Sequence, residues 1–143
     1  MPSKVSINGN GASIAIEVLG YERPSAQDVS DANWLKCRVS TNLGQFIGNY
    51  DASFTTSDFT RFRDELRSVL TTMNGAAAFV TDEEALNCTI QLMRVGTAVV
   101  KGRAQAQGHV TAVLSFSFES DQSFLAETLL GLESVVQKFP LKK

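Results

Sequence analysis

Apolar and polar residues alternate along five segments of this chain, and this period-two pattern constrains the fold more than any other feature. In the first segment, Ile14, Ile16 and Val18 are separated by Ala15 and Glu17. Such alternation places one face of a strand in a core and the other in water, as in antiparallel sheets. The alternating segments are 14–18, 35–39, 46–54, 86–92 and 110–118. Residues 97–107 and 109–118 meet at 107–109, which predicts a hairpin.

Two other segments have helical spacing. In each, large apolar residues recur every three or four positions, which forms one stripe on a helix. The stripes are Phe59, Phe62, Leu66, Leu70 and Met73, and then Leu125, Leu129, Leu132, Val136 and Phe139. The first helix is predicted to begin at a cap on Thr56 or Ser57 and to end at 74–75. The second is predicted over about 121–138, with Ser120 or Asp121 as its cap.

The order of these elements is strands, helix, strands, helix, which differs from the strict alternation of a parallel α/β sheet. It predicts an α+β fold, with a curved antiparallel sheet of about eight strands and two helices packed on one side. A chain of 143 residues is long enough for one core, so residues 1–143 are predicted to form a single domain. The repeated order also permits an internal repeat, although the two halves do not align residue by residue.

Charge and cysteine content exclude several classes of protein. The net charge is −2 and is spread evenly, without the basic excess of a nucleic-acid binder. Cys37 and Cys88 both fall on alternating strand patterns, which predicts two reduced thiols in the core. No apolar run is long enough to span a membrane and the first residues lack a signal sequence, so a soluble cytoplasmic protein is predicted.

Residues with catalytic or metal-binding potential are sparse. The single histidine, His109, falls in the predicted hairpin, where a solvated turn residue is the common case. One histidine and two buried cysteines do not supply a transition-metal site, and the acids lack the spacing of a calcium loop. The sequence therefore predicts a protein without a metal, a cofactor or catalytic residues. A hydrolase built on two carboxylates stays open, because sequence does not give their separation.

The unusual residues concentrate between the first two long strands. Residues 23–33 form the longest segment without a predicted element and are rich in Ser, Asp, Asn and Pro. The only tryptophan, Trp34, follows directly. We interpret Trp34, Asn33 and Tyr21 as the structural anchor that holds this loop on the core. The alternative is that Trp34 belongs to a patch that binds a partner, as exposed tryptophans often do.

Four short motifs, in this order, resemble the WapI-type family of bacterial immunity proteins over roughly residues 5 to 140. They are Gly20-Tyr21-Glu22-x-Pro24, Asp31-Ala32-Asn33-Trp34-Leu35, Asp121-Gln122-Ser123-Phe124-Leu125 and Phe139-Pro140. The resemblance implies a non-catalytic cytoplasmic protein that binds and neutralises the toxic C-terminal domain of a contact-dependent toxin. It transfers no catalytic residue.

Many toxin domains of this kind are nucleases with basic clefts, and an acidic patch would complement such a cleft. The expected partner-binding residues are accordingly Asp28, Asp31, Asp82, Glu83 and Glu84. An acidic run such as 82–84 is also common in a solvated turn. The alternative function is a small-molecule-binding or structural α+β domain, with a homodimer possible through an exposed sheet edge or face. An enclosed apolar pocket would favour that alternative, and an acidic patch without one would favour immunity.

Overall fold

The computed structural model describes residues 3–142, which form eight strands and three α-helices. The strands are β1 (Ser3–Gly9), β2 (Ala12–Tyr21), β3 (Trp34–Leu43), β4 (Phe46–Thr55), β5 (Ala76–Phe79), β6 (Leu86–Leu92), β7 (Thr97–Ala106) and β8 (Ala112–Asp121). The helices are α1 (Val29–Ala32), α2 (Thr56–Thr72) and α3 (Gln122–Lys138). A 3-10 turn, Arg94–Gly96, joins β6 to β7. None of the described helices is both long and apolar enough to cross a membrane.

The eight strands form two antiparallel sheets of four, in the orders β1-β2-β3-β4 and β5-β6-β7-β8. The α+β class and the order strands-helix-strands-helix are confirmed. The described strands do not form one continuous sheet, however, because no strand of the first sheet pairs with a strand of the second. Each sheet is followed at once by a helix of 17 residues. The two halves therefore repeat one plan, although their sequences do not align.

The long helices begin where a side chain caps free backbone amides. Thr55 and Asp58 form a reciprocal capping box at the start of α2, so the cap lies one residue before the predicted pair. Asp121 caps α3 by accepting a hydrogen bond from the Phe124 amide at 3.0 Å, as predicted. The segment 23–33, predicted to lack an element, contains the short helix α1, which Asp28 caps.

The core joins the inner faces of both sheets to the apolar stripes of α2 and α3. Cys37 and Cys88 both lie in it as free thiols, as the alternation predicts. Phe79 of β5 is fully buried, and its ring lies 5.1 to 5.6 Å from three other rings. Those rings belong to Phe54, Phe59 and Phe62. This aromatic cluster fastens the first sheet and α2 to the second sheet.

Each long helix packs against the first strand of the other half. Helix α3 lies on β1, where Thr128 donates a hydrogen bond to the Ser6 carbonyl at 2.7 Å. A side chain at Gly131 would place its Cβ 2.6 Å from the Lys4 carbonyl oxygen, so this close approach requires glycine. Helix α2 lies on β5, where the Ala78 amide donates to Glu65 at 2.9 Å. The outer edges of β1 and β5 are thereby covered.

Candidate partner-binding surface

In the described part of the chain, residues 3–142, no helix covers the edge of β4 or of β8. Both are terminal strands of their sheets, and each is ten residues long. Within residues 3–142, strand β8 makes one backbone hydrogen bond beyond its sheet, in which the Asn10 amide donates to the Glu119 carbonyl at 2.9 Å. The Gly48 carbonyl of β4 additionally accepts from the Thr41 hydroxyl of β3, within the same sheet. These two edges border the open side of the molecule.

An apolar cleft of about 330 Å³ opens between the β3–β4 and β7–β8 hairpins. Its walls include Phe46, Ile47 and Tyr50 from the first sheet, and Val113 and Leu114 from the second. Phe46 is 65% exposed and Ile47 is 72% exposed, so neither is part of the core. Neighbouring exposed apolar side chains at the mouth of a cleft are typical of an interaction surface.

A second, more polar pocket of about 230 Å³ lies further along β4. Carboxylates of Glu22, Asp51 and Glu83 line it, together with the ammonium of Lys36. Arg38 lies 3.3 Å from the Asp51 carboxylate at an exposed position, so that carboxylate is only partly neutralised. The pocket therefore has an acidic excess.

Tyr50 stands between the apolar cleft and the acidic pocket. Its hydroxyl donates a 2.7 Å hydrogen bond to the carbonyl of Ala85, which lines the acidic pocket. Burial raises the pKa of Tyr50, so the hydroxyl remains a donor throughout the physiological range. This bond ties the two sheets together and leaves an apolar region on one side and an acidic region on the other. We call the two regions together the cleft surface.

Both thiols of the chain are buried, and its single imidazole is exposed. Burial raises the pKa of Cys37 and of Cys88 to about 12, so neither thiol ionises near neutral pH. His109 is exposed in the loop between β7 and β8. Within residues 3–142, no three His, Cys, Asp or Glu side chains are arranged to hold a metal ion. The cleft surface presents apolar side chains beside carboxylates.

The sequence matches the model of the immunity protein WapI-like family over residues 5–140. The chain belongs to this family. No curated protein matches the chain closely enough to add a named relative. Membership over nearly the whole length assigns this WapI-like protein an immunity role, and that role requires a protein partner.

The acidic residues predicted to bind the partner lie in two segments of the WapI-like protein. Asp82, Glu83 and Glu84 are exposed between β5 and β6, and Glu83 lines the acidic pocket. Asp28 and Asp31 act within their own loop. Asp28 accepts a hydrogen bond from the Ser30 amide at 2.8 Å, and Asp31 lies 3.2 Å from Arg23.

The predicted anchor residues differ in what they contact. Asn33 is buried, and its side chain donates to the carbonyls of Val29 and Lys142 and accepts from the Lys142 amide. The Tyr21 hydroxyl donates to the Pro140 carbonyl at 2.8 Å, and its ring packs edge-on against Phe139. Trp34 is half-buried and lies outside the hydrophobic core. Asn33 and Tyr21 thus tie the loop to the C-terminal segment.

The sequence-based candidates do not include Phe46, Ile47, Glu22 or Asp51. One residue of this surface could have been identified from the sequence. Ile47 is apolar, although it lies on the face of β4 whose other members are polar. Phe46 has the phase of a core residue, and only the divergence of the two hairpins leaves it exposed. Glu22 and Asp51 reach the same pocket as Glu83 from distant parts of the chain, which no local pattern reveals.

Proposed function

We propose that this WapI-like protein binds and neutralises the toxic C-terminal domain of a cognate contact-dependent toxin. It acts without catalysis, in the cytoplasm of the cell that encodes both proteins. Binding is expected to use the cleft surface, where Phe46 and Ile47 supply apolar contact and Asp51 and Glu83 supply negative charge.

The observation that carries this proposal is the exposed apolar pair at the mouth of an open cleft. Exposed aromatic and aliphatic side chains beside charged ones form the usual composition of a protein contact, with apolar anchors and a polar rim. The carboxylates of Glu22, Asp51 and Glu83 would attract a basic toxin surface and accelerate encounter. Asp82 and Glu84 lie in the same exposed segment as Glu83 and would extend that attraction.

The alternative is a site for a small apolar ligand. The cleft volume of about 330 Å³ lies at the lower end of the range for such sites. Ligand pockets usually enclose most of the ligand surface, whereas the side chains of Phe46 and Ile47 extend largely into solvent. This exposure favours a protein partner.

If the proposal is correct, a large secreted toxin is encoded beside this gene, and the test is co-expression with the C-terminal domain of that toxin. The wild-type chain should restore growth, and the purified proteins should form a complex measurable by calorimetry. Ile47→Asp should weaken that complex by at least about tenfold, because it places a carboxylate in the apolar contact.

The matched control is Val95→Asp. Val95 is 98% exposed in the turn between β6 and β7, away from the cleft, and its φ of 62° suits aspartate better than valine. This variant should protect cells as well as the wild type. Absence of any complex with the neighbouring toxin domain would refute the proposed function. Full protection by Ile47→Asp would refute binding through the cleft surface.

A further inference from the structure

The backbone of β4 has unused hydrogen-bonding groups along its outer edge. Residues Leu43 and Phe46 flank a two-residue turn, so they form a hydrogen-bonded pair of the ladder. Because such pairs alternate, the amides and carbonyls of Ile47, Asn49 and Asp51 point away from β3. Within residues 3–142 the amides and carbonyls of these three residues make no hydrogen bond. All three residues are exposed.

The usual protections of a sheet edge are absent from β4. Natural edges are often shortened, bulged, covered, or marked with lysine or proline. Strand β4 runs for ten residues in continuous register with β3, contains neither lysine nor proline, and carries Asp51 as its only charge. Such an edge is a template for another strand.

The side chains around this edge indicate what kind of strand would fit. At the Phe46 end the edge borders the apolar cleft, and at the Asp51 end it borders the acidic pocket with Glu22 and Glu83. An added strand would therefore meet an apolar environment first and a negative environment about five residues later. A segment with an apolar residue at one end and a basic residue at the other complements both.

We propose that the partner of this protein contributes an extended segment that pairs with β4 as a fifth strand of the first sheet. Main-chain hydrogen bonds to Ile47, Asn49 and Asp51 supply affinity, and the apolar and basic side chains of the segment supply specificity. The proposal rests on the proposed function, since it describes how the toxin domain occupies the cleft surface.

The edge of β8 is the weaker candidate. The carbonyl of Glu119 already accepts a hydrogen bond from Asn10, and β1 therefore approaches this end of β8. A second copy of this chain is the other possible occupant of β4. An antiparallel pair of β4 strands centred on Asn49 would place the Asp51 carboxylate of each copy beside the apolar side chain of Ile47 in the other, which disfavours a homodimer at this edge.

The test compares two substitutions at one position, with the inactivated C-terminal domain of the neighbouring toxin as the probe. Asn49→Pro removes an outward amide and places the proline ring where the added strand would lie, whereas Asn49→Ala leaves the backbone intact. Asn49→Pro should weaken the complex by at least about tenfold, and Asn49→Ala should leave it within about twofold of the wild type.

The same substitution on the other uncovered edge, Ser115→Pro, is the positional control and should retain wild-type affinity. Thermal unfolding verifies that each variant is folded. If Asn49→Pro does not fold, hydrogen exchange on the wild-type complex replaces it, and the amides of Ile47, Asn49 and Asp51 should exchange at least about tenfold more slowly than in the free protein.

Each result bears on a different statement. A toxin complex that Asn49→Pro leaves unchanged, or that Ser115→Pro alone disrupts, refutes pairing at β4 while the proposed function stands. Hydrogen exchange that toxin binding leaves unchanged at the amides of Ile47, Asn49 and Asp51 would also refute pairing at β4. A homodimer in sedimentation that Asn49→Pro dissociates would assign the edge to a second copy. Failure of the wild-type chain to bind the toxin domain at all refutes the proposed function itself.

Discussion

The uncovered sheet edges of this protein are longer than the covered ones, whereas exposed edge strands in natural proteins are often short. The covered edges, β1 and β5, are seven and four residues long and lie under α3 and α2. The uncovered edges, β4 and β8, are both ten residues long. Long bare edges invite pairing with other chains, and this is why we propose β4 as the edge that the partner contacts. On this proposal the covered edges contribute to stability, and the uncovered edge of β4 contributes to binding.

The largest expected effect is on the covered side. Phe79→Ala removes the ring at the centre of the aromatic cluster and should lower the free energy of unfolding by about 3–5 kcal/mol. The matched variant on the open side, Phe46→Ala, should lower it by less than about 1 kcal/mol, because Phe46 is mostly exposed. Urea unfolding of both variants measures the difference. Equal losses would contradict the division between the two sides.

The loop before β3 gives an intermediate effect. Asn33→Ala should lower the free energy of unfolding by about 1–3 kcal/mol, because it removes three part-buried hydrogen bonds to the backbone of Val29 and Lys142. Trp34→Ala should cost less, since Trp34 lies outside the core. Thermal melting of the two variants under one condition provides the comparison. A larger loss for Trp34→Ala would make the tryptophan the anchor of the loop.

The smallest expected effect concerns pH. Burial raises the pKa of Asp58 in the folded protein, partly offset by the Thr55 hydrogen bonds and by Arg61. The folded state therefore holds this proton more tightly than the unfolded state, and the contribution of Asp58 to stability falls as pH rises from about 4 through its raised value. Asn keeps an oxygen for the Thr55 amide, so Asp58→Asn should lack this decline.

Urea unfolding of the wild type and of Asp58→Asn between pH 3.5 and pH 6 measures the difference in slope. The wild type should lose stability relative to the variant as pH increases. The opposite sign would mean that the Thr55 and Arg61 contacts outweigh burial at this carboxylate.

Local patterns in the sequence located six of the eight strands, both long helices and most of the core, but they did not locate β1, β5 or α1. The alternation at residues 35–39 and the stripe of Phe59, Phe62 and Leu66 both identify buried side chains correctly. The division into two sheets was not predicted, because alternation reports the face of a strand and carries no information on its neighbours. The predicted stripe also includes Met73, which is 42% exposed because α2 ends one residue earlier, at Thr72.

The contact surface was less accessible to sequence reasoning than the core. The run 82–84 was predicted to bind a partner because three acids are adjacent, and Glu83 lines the acidic pocket. Its companions in that pocket, Glu22 and Asp51, are isolated acids in the sequence. They meet Glu83 only because the end of one sheet lies against the turn of the other, a relation set by the aromatic cluster and the Tyr50 bond.

The reciprocal packing of the helices makes neither half self-sufficient. A chain ending after α2 would lack α3, so the edge of β1 would be uncovered, and it would lack β5, the strand on which α2 packs. The second half alone would leave the edge of β5 uncovered and α3 without β1. Two copies of one such half could each lend a helix to the other and so reproduce the arrangement of the whole. The fold thus has the form of an exchanged dimer in a single polypeptide, a design that duplication and fusion of a half-length gene would generate.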